Sequence, residues 1–314
     1  MNTLKKIAIT IGDPAGIGPE IVLKSILSKG ISDVCKPVII GDKAVIEEAI
    51  ERLSINLKAL ELININEIKN RDFEKNKPTA AGGKACVSYI KKAVELALNK
   101  DVDAIVTAPI SKESLKMAGF QWPGHTEMLA ELTNTKDYAM MFYSDKLKLI
   151  LVTIHTALKN VPDLIKKGKV LKTIILAKKS CDMLGIENPC IAVAGLNPHA
   201  GESGIFGDEE IKEIIPAIEE TQKMGIPVSG PYPADALFHK AYNGEFDIIV
   251  CMYHDQGLAP FKMISFEKGV NMTVGLPIIR TSPDHGTAYD IAWKGIANPS
   301  SIIEAIKLAA RVRI

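Results

Sequence analysis

The chain has little cysteine, almost no net charge and no long apolar run. Cys35, Cys86, Cys181, Cys190 and Cys251 are its five cysteines among 314 residues, an odd number with no CxxC pair. A disulfide frame or zinc knuckle is therefore excluded, and buried thiols in a reducing compartment are expected. Lys and Arg total 38 against 37 Asp and Glu, leaving a net charge of +1. That removes the electrostatic footprint that nucleic acid or an anionic membrane requires. No stretch is long and apolar enough for a signal-peptide core or a membrane span, so the cytoplasm is the expected compartment. The GxGxxG dinucleotide fingerprint is missing too. Gly12, Gly16 and Gly18 follow the first apolar run at the wrong spacing, and Pro14 removes an amide donor. Gly12–Glu20 reads as a tight turn or a substrate-side loop rather than a dinucleotide loop.

What is present is an α/β pattern. Hydrophobic residues make up 47% and charged residues 24%, ordinary for a globular protein, and the length allows two domains. Short apolar runs alternate with longer amphipathic ones. Strands are expected at Lys6–Ile11, Val38–Ile40, Leu60–Ile63, Ala104–Thr107, Ile191–Ala194 and Ile248–Cys251. Helices are expected at Pro19–Leu27, Ala44–Leu53, Gly83–Asn99, Leu164–Met183, Asp208–Met224 and Ser300–Arg311. Pro19 suits a first helical position and Asp208 an N-cap. Tyr138–Thr153 reads as a β-hairpin, the mark of a second lobe. With no repeat or linker, the expectation is two lobes: residues 1–120 with 275–314, and residues 121–274.

Three histidines stand just after strand-like runs: His155, His199 and His254. Parallel strands put such positions along one rim. Three imidazoles there can bind a divalent metal and leave positions open, although separations of 44 and 55 residues carry no local metal signature. Asp235 and Asp255 are placed to hydrogen-bond such ligands. Gly124-His125-Thr126-Glu127 opens a helical run, which makes an anion site or a plain Thr126 cap. Lys262, Asn271 and Arg280 together supply two cations and an amide for a phosphorylated acid. Residues 284–299 read as a loop followed by a short helical pattern, with backbone amides and Asp290 spaced to hold a nucleotide. Cys251 reads as a buried strand thiol, not a nucleophile.

These segments together resemble the 4-hydroxythreonine-4-phosphate dehydrogenase family. The resemblance spans nearly the whole chain. It rests on Gly12–Pro19, Gly124–Glu127, Leu196–Glu202, Tyr253–Gly257 and Arg280–Ala288. It implies a two-lobed α/β/α fold like isocitrate and isopropylmalate dehydrogenases, with the active site in an interdomain cleft. It implies NAD-dependent oxidation of a phosphorylated hydroxy acid, followed by decarboxylation, in vitamin B6 biosynthesis. His155, His199 and His254 match the family's metal ligands, zinc being expected and magnesium, manganese or cobalt the alternatives. His125, Thr126, Lys262, Asn271 and Arg280 match its substrate contacts. The tail from His285, Gly286, Thr287 and Ala288 to Asp290 is similar to the adenosine loop of the isocitrate and isopropylmalate enzymes, where an acid at Asp290 holds the ribose of NAD. The family is a homodimer with shared active sites. A sister group acts on D-threonate or D-erythronate 4-phosphate, and Thr107–Ile110 and Trp122-Pro123 resemble it as well. Two other classes remain: a phosphate acyltransferase-like enzyme, which needs neither the three histidines nor Asp290, and a non-catalytic metabolite-binding protein.

Overall fold

The structure, a computed structural model, describes residues 4–56 and 60–314. Its strands are β1 (Lys5–Thr10), β2 (Cys35–Gly41), β3 (Leu62–Asn64), β4 (Ala104–Thr107), β5 (Ala139–Tyr143), β6 (Lys148–Leu151), β7 (Ile191–Ala194), β8 (Val228–Tyr232), β9 (Ile248–Cys251), β10 (Val270–Val274) and β11 (Arg280–Pro283). The chain divides into two compact units. One comprises the stretch up to Lys136 with Leu276–Val312, and the other is Asp137–Gly275. The boundary thus falls after Lys136 rather than at 120. The helix His125–Leu132 packs against Ala80–Leu98 and carries His125 and Thr126 into the first unit.

In the first unit the strands run β3-β2-β1-β4-β11, all parallel. Ile7, Ala8 and Ile9 of β1 are fully buried, as a strand covered on both faces requires. In the second unit the order is β10-β5-β6-β9-β7-β8. Here β10, β5 and β6 are antiparallel, and the expected hairpin is β5–β6. From β6 through β9 and β7 to β8 the pairing is parallel. Phe142, Leu149, Leu151, Ile249, Leu258 and Phe261 form one core under the helices Ala234–Tyr242 and His254–Ser265.

Every expected helix is present, with local differences. Pro19 lies in the first turn of Gly18–Ile26. Leu164–Met183 is two helices, Val161–Leu164 and Lys167–Met183, because extended backbone at Ile165 and Lys166 sends Ile165 into the core. Asp208 is not a side-chain cap. Its carboxylate pairs with Lys212, and a π turn at Glu210–Ile214 precedes the helix Ile215–Lys223. The expected helical pattern in residues 284–299 is a chain of turns with left-handed Ala288 and Trp293. Four cysteines are buried as expected, but Cys190 is exposed.

Candidate functional site

In the second unit, β6, β9 and β7 are parallel neighbours, and each is followed by one of the three histidines. The strand ends are tied together. Val152 N donates to Cys251 O at 2.9 Å, and Thr153 donates to Met252 O from its amide at 3.1 Å and its hydroxyl at 2.7 Å. Gln256 continues the tie. Its Oε1 accepts from Met252 N at 2.7 Å and its Nε2 donates to Gly195 O at 2.6 Å, joining the ends of β9 and β7.

This bracing brings His155 and His254 together, with ring centroids 5.9 Å apart. Asp255 Oδ1 lies 2.7 Å from His254 Nδ1, an orienting bond that leaves the other ring nitrogen for a ligand. Both side chains are accessible, His254 at 41% and Asp255 at 86%. Asp235 is exposed and lines an open groove of about 790 Å³ with Tyr253 and Gln256, which flank His254. Lys262 lies later on the helix that His254 begins, and Asn271 on β10 faces Phe142 in register. Both are half-buried.

His199 is not part of this pair. Its ring lies beside Phe206, with centroids 6.1 Å apart. It opens a left-handed turn in which His199, Ala200, Glu202 and Ser203 have φ between 44° and 57°. Non-glycine residues there cost roughly 1–2 kcal/mol each, so the turn needs support. Buried Glu210 provides it, accepting from the amides of Leu196 and Asn197 at 2.7 Å and from Asn197 Nδ2 at 2.9 Å. Among the described residues, no three His, Cys, Asp or Glu side chains form a group that can hold a metal ion. Two imidazoles, one fixed by a carboxylate, suit part of a divalent-metal donor set, and the third donor is not assembled with them. Cys251 is fully buried, which pushes its thiol far up and removes it as a nucleophile.

The first unit holds a different constellation. Arg280, at the start of β11, is 2% exposed. Its Nη2 and Nε donate to Thr107 Oγ1 at 2.8 and 3.2 Å, across the β4–β11 pair. Burial pulls the guanidinium down to about 9, while the Glu127 carboxylate acts in the opposite sense, so it stays charged at neutral pH. His125 begins the helix His125–Leu132 after an extended Gly124, and Thr126 is buried in its first turn rather than capping it. The ring atom His125 Nε2 is shielded from solvent and has no hydrogen-bond partner. Burial first, and the charge of Arg280 second, hold His125 well below the usual imidazole range. The helix start, the neutral imidazole and the buried guanidinium form a corner whose donors suit an anion.

The proposed nucleotide segment also lies in the first unit. His285 and Gly286 are exposed, Thr287 is half-buried, Ala288 has φ 42° and Asp290 is exposed. Tyr289 turns inward, its hydroxyl donating to Asp13 Oδ2 at 2.8 Å and lying 3.2 Å from Ser114 Oγ. Burial pushes that phenol up to about 12 against the opposing effect of the Ser111 and Ser114 hydroxyls. Thr107, Gln256, Glu210 and Tyr289 carried no sequence signal for these roles. Each acts through a partner that only the folded chain brings near.

Residues 33–309 match the family model described as "Pyridoxal phosphate biosynthetic protein PdxA". A 4-hydroxythreonine-4-phosphate dehydrogenase from Desulforapulum autotrophicum is 47% identical, over 97% of this chain and 94% of its own length. A protein from Oceanobacillus iheyensis, provisionally named D-threonate 4-phosphate dehydrogenase, is 46% identical over 96% of each. The 4-hydroxythreonine-4-phosphate dehydrogenase structure from Klebsiella pneumoniae superposes with a TM-score of 0.90 at 41% identity, covering 99% of both chains. Isocitrate dehydrogenase from Methylococcus capsulatus, at 16% identity and TM-score 0.51, shares the fold alone.

Proposed function

Since the chain belongs to the pyridoxal phosphate biosynthetic protein PdxA family, we propose that it oxidises and decarboxylates 4-phosphohydroxy-L-threonine to 3-amino-2-oxopropyl phosphate with NAD. The observation that carries this reading is the corner where His125 Nε2, buried and without a partner, sits in the field of buried Arg280. With its proton on Nε2, the neutral imidazole donates to a phosphate oxygen. The phosphate charge offsets the burial of the guanidinium. Thr126 is the neighbouring contact, and Lys262 and Asn271 are further proposed substrate contacts.

NAD, when bound, would accept the hydride of the secondary alcohol, and a base of the His155–His254–Asp255 patch would take the alcohol's proton. The resulting 3-oxo acid loses carbon dioxide, and the enolate takes a proton to give the amino ketone. A divalent metal, when bound by His155, His199 and His254, supplies Lewis-acid polarisation of the alcohol and ketone oxygen. His155 and His254 stand together and His199 apart, and the proposed homodimer would complete the donor set with a second copy. Zinc suits imidazole donors best, with magnesium, manganese or cobalt as alternatives. Asp255 orients His254, and exposed Asp235 is the second proposed acid at this rim. His285, Gly286, Thr287 and Ala288 are proposed to meet the dinucleotide through the backbone, with Asp290 accepting from the ribose hydroxyls.

The D-threonate relative is almost as similar as the 4-hydroxythreonine one, so D-threonate or D-erythronate 4-phosphate is the second reading. Formation of NADH with each of the three phosphorylated acids tests the choice. The main reading predicts the highest kcat/KM with 4-phosphohydroxy-L-threonine. A tenfold or greater preference, about 1.4 kcal/mol, for either sugar acid replaces it with the second reading.

A further inference from the structure

Gly12–Glu20 takes no part in the reaction proposed above, yet its hydrogen bonds converge on one segment. Fully buried Asp13 accepts from Tyr289 OH at 2.8 Å. Pro14 O accepts from Trp293 Nε1 at 3.1 Å. Ile17 N donates to Thr287 O at 2.9 Å. Glu20, 2% exposed, accepts from Gly295 N at 3.2 Å and from Ala297 N at 2.8 Å. Contacts therefore fall on positions 287, 289, 293, 295 and 297, while Asp290, Lys294 and Ile296 between them are exposed. From another side, Asn76 Nδ2 donates to Tyr289 O at 3.1 Å and Ala292 O at 2.6 Å.

Gly16 follows from this packing, and Gly12 from the loop's approach to Pro109. A Cβ on Gly16 would stand 2.9 Å from Thr287 O, and Gly12 has φ 69° with Pro109 O 2.3 Å from its would-be Cβ. These are close-approach glycines, not phosphate-cradling ones. Two inward carboxylates would also repel a pyrophosphate, whereas they suit the amides and hydroxyl they bind.

We propose that Gly12–Glu20 is a clamp that holds the 287–297 loop in its dinucleotide-binding conformation, with Asp13, Glu20 and Tyr289 as positioning residues for Asp290. This rests on reading His285–Asp290 as the cofactor loop. Residues 284–299 form no regular helix or strand, so their backbone groups need partners from elsewhere. The clamp and Asn76 supply them and leave Asp290, Lys294 and Ile296 exposed. A loop ordered in advance binds its ligand without the cost of ordering it on binding.

The test is fluorescence titration of the full chain with NADH in Tyr289→Phe, Glu20→Gln and Asp290→Ala, with thermal melts and the KM for the phosphorylated substrate. Tyr289→Phe removes one hydroxyl, and Glu20→Gln keeps an acceptor oxygen at the far end of the clamp. The clamp predicts that both raise the NADH Kd about tenfold, while KM for the phosphorylated substrate at saturating NAD stays within about twofold. Weakened NADH binding in Asp290→Ala, with both clamp variants within about twofold of wild type, overturns the clamp alone. Unchanged NADH binding in Asp290→Ala overturns the cofactor-loop reading beneath it. Parallel loss of both ligands with a lower Tm assigns the contacts a structural role only and overturns the proposal.

Discussion

The His125–Arg280 corner and the His155–His254 rim are built on opposite principles. In the corner, a guanidinium 2% exposed is fixed by a β-strand hydroxyl, beside a helix start. At the rim, His254 is 41% accessible and its carboxylate partner 86%, with the third histidine held elsewhere in a left-handed turn. A buried cation is expensive and is kept where an anion will meet it. An open pair of imidazoles costs little to maintain and is finished by what binds to it. We propose that the corner is a preformed receptor and the rim a partial donor set. Mutations should therefore act differently in the two places.

The largest effect is expected at the corner. Arg280→Ala removes charge-assisted bonds at roughly 1.5–3 kcal/mol each, and losing two should lower kcat/KM with the phosphorylated substrate by about 10²–10⁴-fold. Thr107→Val keeps the charge but loses its anchor, and should cost roughly tenfold, mostly in KM. A Thr107 variant as damaged as Arg280→Ala would mean that the charge itself matters little.

At the rim the loss should be reversible by metal. His155→Ala and His254→Ala should each weaken divalent-metal binding, measured by calorimetry on chelator-treated protein. Asp255→Ala, which loses only the orienting bond, should cost about 10–100-fold in metal affinity. Excess metal should restore the Asp255 variant and leave Arg280→Ala unrepaired. If metal rescues neither, or if chelation leaves wild-type turnover intact, the rim is not a metal site.

A smaller effect is expected at Asp290. A 2′-phosphate would meet its carboxylate, so wild type should prefer NAD over NADP, and Asp290→Ala should relax that preference by about tenfold. The residue is exposed, which limits the repulsion through solvent screening. Equal kcat/KM for the two cofactors in wild type would remove Asp290 from the ribose.

Much of this contrast was legible in the sequence, because apolar periodicity and strand-end histidines are local signals. The strand ends at His155 and His254, the helix start at His125 and the hairpin β5–β6 could all be read from neighbouring residues. The break at Ile165 was not, since extended backbone there depends on a core that periodicity does not reveal. The tail at 284–299 looked helical because its apolar spacing is set by contacts to Asp13, Pro14 and Glu20, 276–279 residues earlier in the chain. His199 looked equivalent to its two fellows, and the left-handed turn that separates it depends on Glu210 and Asn197.

The smallest effect separates the corner from the rim by pH. His125 is held neutral, so below about pH 6.5 the unfolded chain takes up a proton that the folded chain refuses. Stability should therefore fall as pH drops from 7.5 to 5.5, by less than about 1 kcal/mol because the residue is only partly buried. Urea unfolding should show a weaker acid loss in His125→Gln. An identical loss in both proteins would assign the effect to other groups.

A kinetic cycle measures directly whether the corner receives the substrate phosphate. It compares 4-hydroxythreonine with its 4-phosphate in wild type and in Arg280→Ala, by NADH formation. Removing the phosphate should cost wild type several orders of magnitude in kcat/KM and cost Arg280→Ala far less, because both changes delete the same interaction. Oxidation of the unphosphorylated compound within about tenfold of the phosphorylated one by wild type, or an equal phosphate effect in both proteins, would contradict it.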